Sequence, residues 1–404
     1  MYKLIIKLAF NNAFIRLSRT ILVVIMIAVS MSMMISLQGL YDGMVLSMVD
    51  KTKRSDSGEV SLYNKEYRVS KALSDNITNA TQIKEELLKR QDVNAVVQRL
   101  EADGLSATAK KSAFSTIIGI DLNTEEKFGG FSEFLKPQGE LRLDKRGVLL
   151  GNELAKTLKI RIGSKVIFST QDATGEINAI ALRVRGIIQT NNISLDASAL
   201  YVDAKVLAKF LGVSQNVATQ IAIRSDSPTL KTELTQKYPD LDVKSFLELY
   251  PMMKQMQEIM VIFNSITFFI VMMVVFIGIM GVMYVSILDR IREFGIMRSI
   301  GMSYSLIRSQ IFLEALFVGV LGYLLGAVLG YGALYYLENY GLDLSEFADG
   351  LESFGYSSII YATTKVSYFS STFLAIVGAS LLSVLLPLRK IKKMNTIEVT
   401  KVDI

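Results

Sequence analysis

Chemistry in this chain is bounded first by what is missing. Among 404 residues there is no cysteine and no histidine, so thiolate and imidazole metal sites, Ser-His-Asp triads and Cys-His nucleophiles are excluded by inventory. One carboxylate stands in an unusual place: Glu314 interrupts the otherwise uncharged run 311–337 near its start. A carboxylate there is costly unless it pairs or reaches the interface, and Arg298, Arg308 or an adjacent helix terminus are the candidate partners. No second acid or base accompanies it, so general acid-base catalysis is a weak reading and a structural or coupling role a better one. No G-x-x-x-x-G-K-[ST] phosphate loop occurs. If the protein uses ATP, a separate subunit must hold the nucleotide and its magnesium, and we expect neither cofactor nor metal on this chain.

The second candidate is the segment 289–310, DRIREFGIMRSIGMSYSLIRSQ. Gly295 and Gly301 can break a long helix here and allow a short one along the membrane surface, with Phe294, Ile296, Met297 and Ile300 as an apolar set for a protein partner. A solvated loop would explain the arginines but not the apolar residues among them. We take Glu293, Phe294, Gly295, Ile296, Met297, Arg298 and Gly301 as the candidate docking residues. A third feature is Gly322, Gly326 and Gly330, every fourth position on one helical face with Gly319 nearby, which permits close approach of another helix. Gly278 and Gly281 are a weaker version.

These features hang on four apolar runs. Residues 21–41 carry no charge, and about 20 apolar residues at 1.5 Å each cross the ~30 Å hydrocarbon layer. A cleaved signal peptide competes, but the run exceeds an h-region and no A-x-A-like site precedes Asp42, so an uncleaved anchor is expected. Residues 259–288 are uncharged and would make about 45 Å of helix, half as long again as the layer. Part should project as a stalk. Runs 311–337 and 366–388 follow, the last ending at Pro387.

Half the residues are hydrophobic, 20% are charged and the net charge is +6. The cations sit beside the apolar runs, which points to a membrane rather than to nucleic acid. Lys3, Lys7, Arg16 and Arg19 precede the first run; Arg290, Arg292, Arg298 and Arg308 lie between the second and third; Arg389, Lys390, Lys392 and Lys393 follow the fourth. Loop 338–365 has only Lys365 among Glu338, Asp343, Glu346, Asp349 and Glu352. Cytoplasmic flanks collect Lys and Arg, so both termini should be cytoplasmic (1–20 as an interfacial amphipathic helix, 389–404 as a tail) and 42–258 outside. That middle segment alternates β-branched stretches (95–100, 115–120, 165–169, 179–188, 199–202, 220–223) with amphipathic ones (81–90, 152–158, 204–211, 228–238), and reads as an α+β domain. Stretches 171–178 and 190–196 read as turns. The expected fold is therefore an α-helical membrane protein of four transmembrane helices with a large extracytoplasmic α+β domain between the first and second.

The stretch DRIREFGIMRSIGMSYSLIRSQIFLEALFVGVLGYLLGAVLGYG resembles the FtsX-like and MacB-like permeases of ABC transporters, through Asp289 to Glu293, Gly295 to Arg298, Gly301, Glu314 and the glycine ladder. SLQGLYDGM at the exit of the first run, and GVLLGNELAKTLKIRIGSKVIFSTQDATGEINAIALRVRGII with LDASALYVDAKVLAKFLGV, look closer to the lipoprotein-releasing (LolC/LolE type) branch. The resemblance implies a MacB-like core with an inserted β-rich subdomain, in a multi-pass protein of the bacterial inner membrane. It implies two permease chains, identical or not, on a dimer of cytosolic ABC ATPases, with 289–310 as the coupling segment and the second run as a lever (mechanotransmission). For that branch the substrate is a triacylated lipoprotein entering between the first and second spans and passed to a periplasmic carrier. Met26, Met31, Met33, Met34, Ile259, Met260 and Ile262 would then line a lipid-accessible entrance, and the turn at 171–178 would be the carrier hook. A MacB-like exporter of peptides or small molecules is the alternative, weakened by the missing fused ATPase; an FtsX-like signalling permease is another, against which the size of 42–258 counts. A membrane enzyme fits least.

Overall fold

The computed structural model describes residues 9–11, 17–137, 139–347, 350–351 and 356–392. The expected interfacial helix therefore lies largely, and the C-terminal tail from 393 wholly, outside the described residues. Two compact units emerge: 1–45 with 257–344 and 359–404, and 46–256 with 345–358.

The first is helical. Five helices are labelled here: α1 (Leu17–Thr52), α2 (Pro251–Asp289), α3 (Ile291–Ser299), α4 (Tyr304–Tyr340) and α5 (Val366–Ser383). Four helices, with α5 prolonged to Arg389, are long and apolar enough to cross a membrane. At 36 and 39 residues, α1 and α2 are about 54 and 58 Å long. The stalk expected on the second helix alone is thus matched by one on the first, because residues 44–49 keep an apolar rhythm beyond Asp42. Pro387 does not terminate α5. The helix stops at Val384, and the proline sits in the first turn of Leu385–Lys392, where its missing N–H costs nothing.

A break was expected at both Gly295 and Gly301, and only one occurs there. Gly295 is buried inside α3, whereas Gly301 takes φ +95°, a conformation that favours glycine, and turns the chain into α4. The other break is at Arg290, the residue between α2 and α3, with φ −109° and ψ 15°.

The second unit is an α+β domain on a nine-stranded sheet, in the order β3-β7-β4-β6-β5-β2-β8-β1-β9. The strands are β1 (Val60–Asn64), β2 (Val93–Ala107), β3 (Ser112–Ile120), β4 (Gly147–Gly151), β5 (Lys165–Gln171), β6 (Ile177–Ile188), β7 (Ala199–Asp203), β8 (Gln220–Ser225) and β9 (Leu241–Ser245). β2 joins two halves. Val93 to Arg99 pair with β8, while Leu100 to Ala107 pair with β3 and its end with β5. The β2–β3 pairing closes the strands from β3 to β2 into a small barrel, whose core includes Leu100, Ile117, Val148, Leu150, Val166, Phe168, Val184 and Leu200. In the other half helices Ala80–Leu87 and Leu230–Lys237 place Leu87, Leu230 and Leu234 against Leu62, Val96, Ile221 and Ile223. Three strands lacked a sequence signal. β1, β4 and β9 are five residues each with few β-branched side chains.

Candidate coupling site of the membrane unit

Glu314 is buried on α4, and its partner is neither Arg298 nor Arg308. Arg290 Nη1 donates to both of its carboxylate oxygens, at 3.3 and 3.0 Å, and the two side chains are only 8% and 6% exposed. The helix break explains the choice: leaving helical geometry turns Arg290 inward, while Arg308 points outward from α4. Arg290 also donates to Glu293 at 3.0 Å and stacks over Phe294, 5.2 Å from the ring centroid. One guanidinium thus ties the end of α2, the start of α3 and the interior of α4. Phe294 is fully buried in the core of this unit with Ile287, Ile307 and Ile311. Met297 packs against the same core, whereas Ile296 and Ile300 are exposed. The apolar set divides accordingly: Phe294 and Met297 anchor α3, and Ile296 and Ile300 stand exposed on it.

The glycine ladder of α4 faces α1. A Cβ on Gly322 would lie 2.7 Å from Ile27, one on Gly326 2.8 Å from the Ala28 carbonyl oxygen, and one on Gly330 3.2 Å from Ile35. Gly319 instead meets Ser380 and Ile376 of α5. On α1 the seam is continued by Gly39, against Leu334 and the Thr363 carbonyl, and Gly43, against the backbone of Tyr361 and Ala362. Between them Asp42 accepts from Lys365 Nζ at 2.5 Å and Tyr368 Oη at 2.6 Å. Sequence reasoning missed these three roles, although the motif SLQGLYDGM held the signal.

α2 is packed differently. Val275, Ile279, Met283 and Ile287 are buried at helical spacing in the half nearer α3, where Arg19 and Asp289 also pair at 2.5 Å. In the other half Ile259, Val261, Ile262, Phe263, Ile266, Phe269 and Ile270 are all exposed. Met26 meets Gly278, but the remaining entrance residues do not converge. Met31 and Met34 are fully buried, Met33 is 61% exposed on the opposite side, and Met260 is partly covered. Gly281 has no neighbour within 4 Å.

In the α+β unit, the turn at 171–178 is tightly built. The Asp172 carboxylate accepts from Thr174 N and Oγ1, Glu176 N and Asn178 Nδ2, while Ile177 stands exposed beside it. Glu101 on β2 has its carboxyl raised from 4.5 to about 7, by burial first and then by the charge of Asp56. Asp196, raised by burial to about 6, adds an effect of the same sign. A raised carboxyl favours the protonated folded state, so its stabilisation is complete below the unfolded value and lost as pH rises through the folded one. Glu101→Gln should leave the melting temperature at about pH 4 unchanged and stabilise the protein at about pH 8 by roughly 2–3 kcal/mol. Melting curves across that range check this; parallel profiles for parent and variant would contradict it.

Residues 20–238 match the MacB-like periplasmic core domain family, and residues 265–396 the FtsX-like permease C-terminal family. The chain is 23% identical over 385 residues to the lipoprotein-releasing system transmembrane protein LolC of Haemophilus influenzae, covering 91% of this chain and 86% of LolC. It is 27% identical over 183 residues to the uncharacterized ABC transporter permease YknZ of Bacillus subtilis, covering 42% of this chain and 46% of YknZ. Against the macrolide export ATP-binding/permease protein MacB 2 of Aeromonas hydrophila it is 24% identical over 374 residues, covering 85% of this chain and 55% of that protein. The matches to YknZ and MacB 2 thus span about half the length of those relatives. The core-domain match alone spans more than half of the chain and the permease match most of the remainder: the chain belongs to the FtsX-like, MacB-like family of ABC transporter permeases.

Proposed function

We propose that this chain is the membrane subunit of a lipoprotein-releasing ABC transporter that works by mechanotransmission. The observation that carries the reading is the unequal packing of the helices: α4 meets α1 and α5 through closely packed glycines, whereas half of α2 leaves a broad apolar face, Ile259, Ile262, Phe263, Ile266, Phe269 and Ile270, exposed. Three helices make a block and the fourth is a lever, held at its α3 end by Val275, Ile279, Met283 and Ile287. Ile296 and Ile300 dock on a separate cytosolic ATPase dimer, which supplies the ATP and magnesium chemistry. Movement of α3 reaches α2 through Arg290. The exposed part of α2 and Met26 then gate lateral access for a lipid-anchored substrate. In this reading the protein is a multi-pass component of the bacterial inner membrane, with both termini cytoplasmic, the α+β unit periplasmic, and a second permease chain beside it. The turn at 171–178 presents Ile177 to a periplasmic carrier. The lipoprotein branch is supported by the match to LolC, which covers most of both chains.

Two experiments test this. Ile300→Glu should abolish co-purification of an ATPase without changing the melting temperature of the chain, since Ile300 is 81% exposed; a retained complex would contradict the docking role. Depletion of the chain should leave mature lipoproteins in the inner membrane, read by fractionation after acyl labelling. A normal distribution combined with lowered tolerance to peptides or macrolides would overturn the lipoprotein reading in favour of export.

A further inference from the structure

The α+β unit contains a buried ionic network that no catalytic arrangement uses. At its centre is Arg99 of β2, 3% exposed, which forks onto Glu125 through Nε and Nη2, each at 2.7 Å. Its Nη1 donates to the Asp56 carbonyl oxygen at 2.6 Å and to Asp56 Oδ1 at 3.2 Å. Asp56 belongs to the π-helical turn Lys53–Ser57 that ends α1, and Ser55 and Ser57 of this turn are buried. A π-turn is a rare irregularity that recurs at functional positions. Gly129 packs so closely on Arg54 that no side chain fits there, and its carbonyl accepts from Arg54 Nε at 2.7 Å.

The root of α2 reaches the same carboxylate. Tyr250, the residue immediately before α2, donates its hydroxyl to Asp56 Oδ2 and accepts from Asn192 Nδ2 at 2.9 Å. Its hydroxyl is held well above the ordinary tyrosine range by burial and then by the charge of Asp56, which keeps it a donor. Phe246, preceding it, stacks on the Tyr250 ring at 5.4 Å and carries Lys53 Nζ over its own ring at 5.5 Å. Next to Asn192, Asn191 Nδ2 donates to the Tyr356 carbonyl at 2.8 Å, so the segment connecting α4 and α5 is tied in as well. The end of α1, the start of α2 and the α4–α5 connection therefore converge on one hydrogen-bonded chain.

We propose that Asp56 and Tyr250 are positioning residues that bolt the roots of α1 and α2 together, so that the α+β unit moves as one body with both roots and the bending of α2 is confined to the residues after Tyr250. A charge-assisted hydrogen bond inside a buried network is a strong and directional link, and the side chains on either side of it are themselves fixed. The bolt itself is independent of the lever reading; only its consequence for transport rests on it.

Because the chain has no cysteine, spin labels can be placed at will. The full-length chain carrying Leu46→Cys and Met252→Cys, both exposed positions on the two roots, is measured in nanodiscs by pulsed electron paramagnetic resonance. The parent should give one narrow distance distribution, unchanged when the ATPase and ATP are added. Tyr250→Phe removes one hydroxyl and leaves Arg99, Glu125 and Asp56 in place; it should widen the distribution about twofold as the roots sample separate positions. Tyr63→Phe is the control, since it deletes another hydroxyl of the network, the acceptor of Gln220 Nε2 at 2.9 Å, and leaves the Tyr250–Asp56 hydrogen bond in place. An unchanged width in Tyr250→Phe would overturn the proposal, as would equal widening in Tyr63→Phe or a nucleotide-driven shift in the parent. The nucleotide-free arm uses the chain alone, so its result stands even where the ATPase reading fails.

Discussion

Arg290→Ala is expected to be among the most damaging single substitutions in the protein, costing about 3–5 kcal/mol because it leaves the Glu314 carboxylate buried and uncompensated. Apolar surroundings strengthen the expectation, since a lone charge inside a membrane helix has no nearby water to turn to. The joint also closes the α2–α3 corner, so function should fall further than stability alone would require. Glu314→Gln is milder in stability, because an amide still accepts one hydrogen bond from Arg290 Nη1, yet it should impair ATP-driven function more than assembly. The pair Arg290→Met with Glu314→Gln removes both charges and should recover part of the stability lost by Arg290→Ala without recovering function. Melting of the detergent-solubilised chain, with ATPase co-purification and ATP-driven release in parallel, separates these effects. Recovery of function in the double variant would show that the pair is structural and not a transmission joint.

The second large effect is expected at the glycine seam. Gly326→Leu would drive a side chain into the Ala28 backbone, which cannot yield as a flexible side-chain end can. Overpacking here should cost about 2–4 kcal/mol and separate α1 from α4. The atoms nearest a Cβ on Gly330 belong to the Ile35 side chain, at 3.2–3.3 Å, and alanine should be tolerated there, while Gly281 and Gly332, with nothing within 4 Å, should accept leucine with little change. This gradation is the test: a ranking by distance from the helix ends, and not by what each Cβ meets, would mean that propensity rather than helix contact explains the glycines. The seam also accounts for the block. With Gly39, Asp42 and Gly43 fastening α1 to the segment 361–368, the lever reading proposed above leaves α2 as the helix to swing.

Much of this architecture can be read from residue types, and the rest fails for definite reasons. The four apolar runs are legible because span length is a property of consecutive residues. The stalks are less so: residues 42–52 mix Asp42, Asp50 and Lys51 with apolar neighbours, and the hydropathy signal ends before the helix does. The entrance set is divided by helical phase, which the sequence does contain. Ile27, Met31, Met34 and Ile35 fall at i, i+4, i+7 and i+8, one face that α1 buries, and Met33 falls on the other. Sequence spacing points to Arg298 and Arg308 as partners of Glu314, both in helical register, whereas the arginine that pairs, Arg290, stands at the break. The network around Arg99 lay out of reach altogether. Tyr250 and Asp56 are 194 positions apart and Arg99 and Asp56 are 43 apart, and no local pattern marks such residues as neighbours.

The central claim is that α3 receives motion from a separate ATPase and passes it to α2. It is tested most directly by placing a photo-crosslinking amino acid at Ile296 and at Ile300 in the native membrane, with Val328, exposed on the membrane-spanning part of α4, as the control. The account predicts an adduct with a soluble ATP-binding subunit from both α3 positions and none from Val328. Absence of that adduct at Ile296 and Ile300, in cells where the protein is functional, would contradict it.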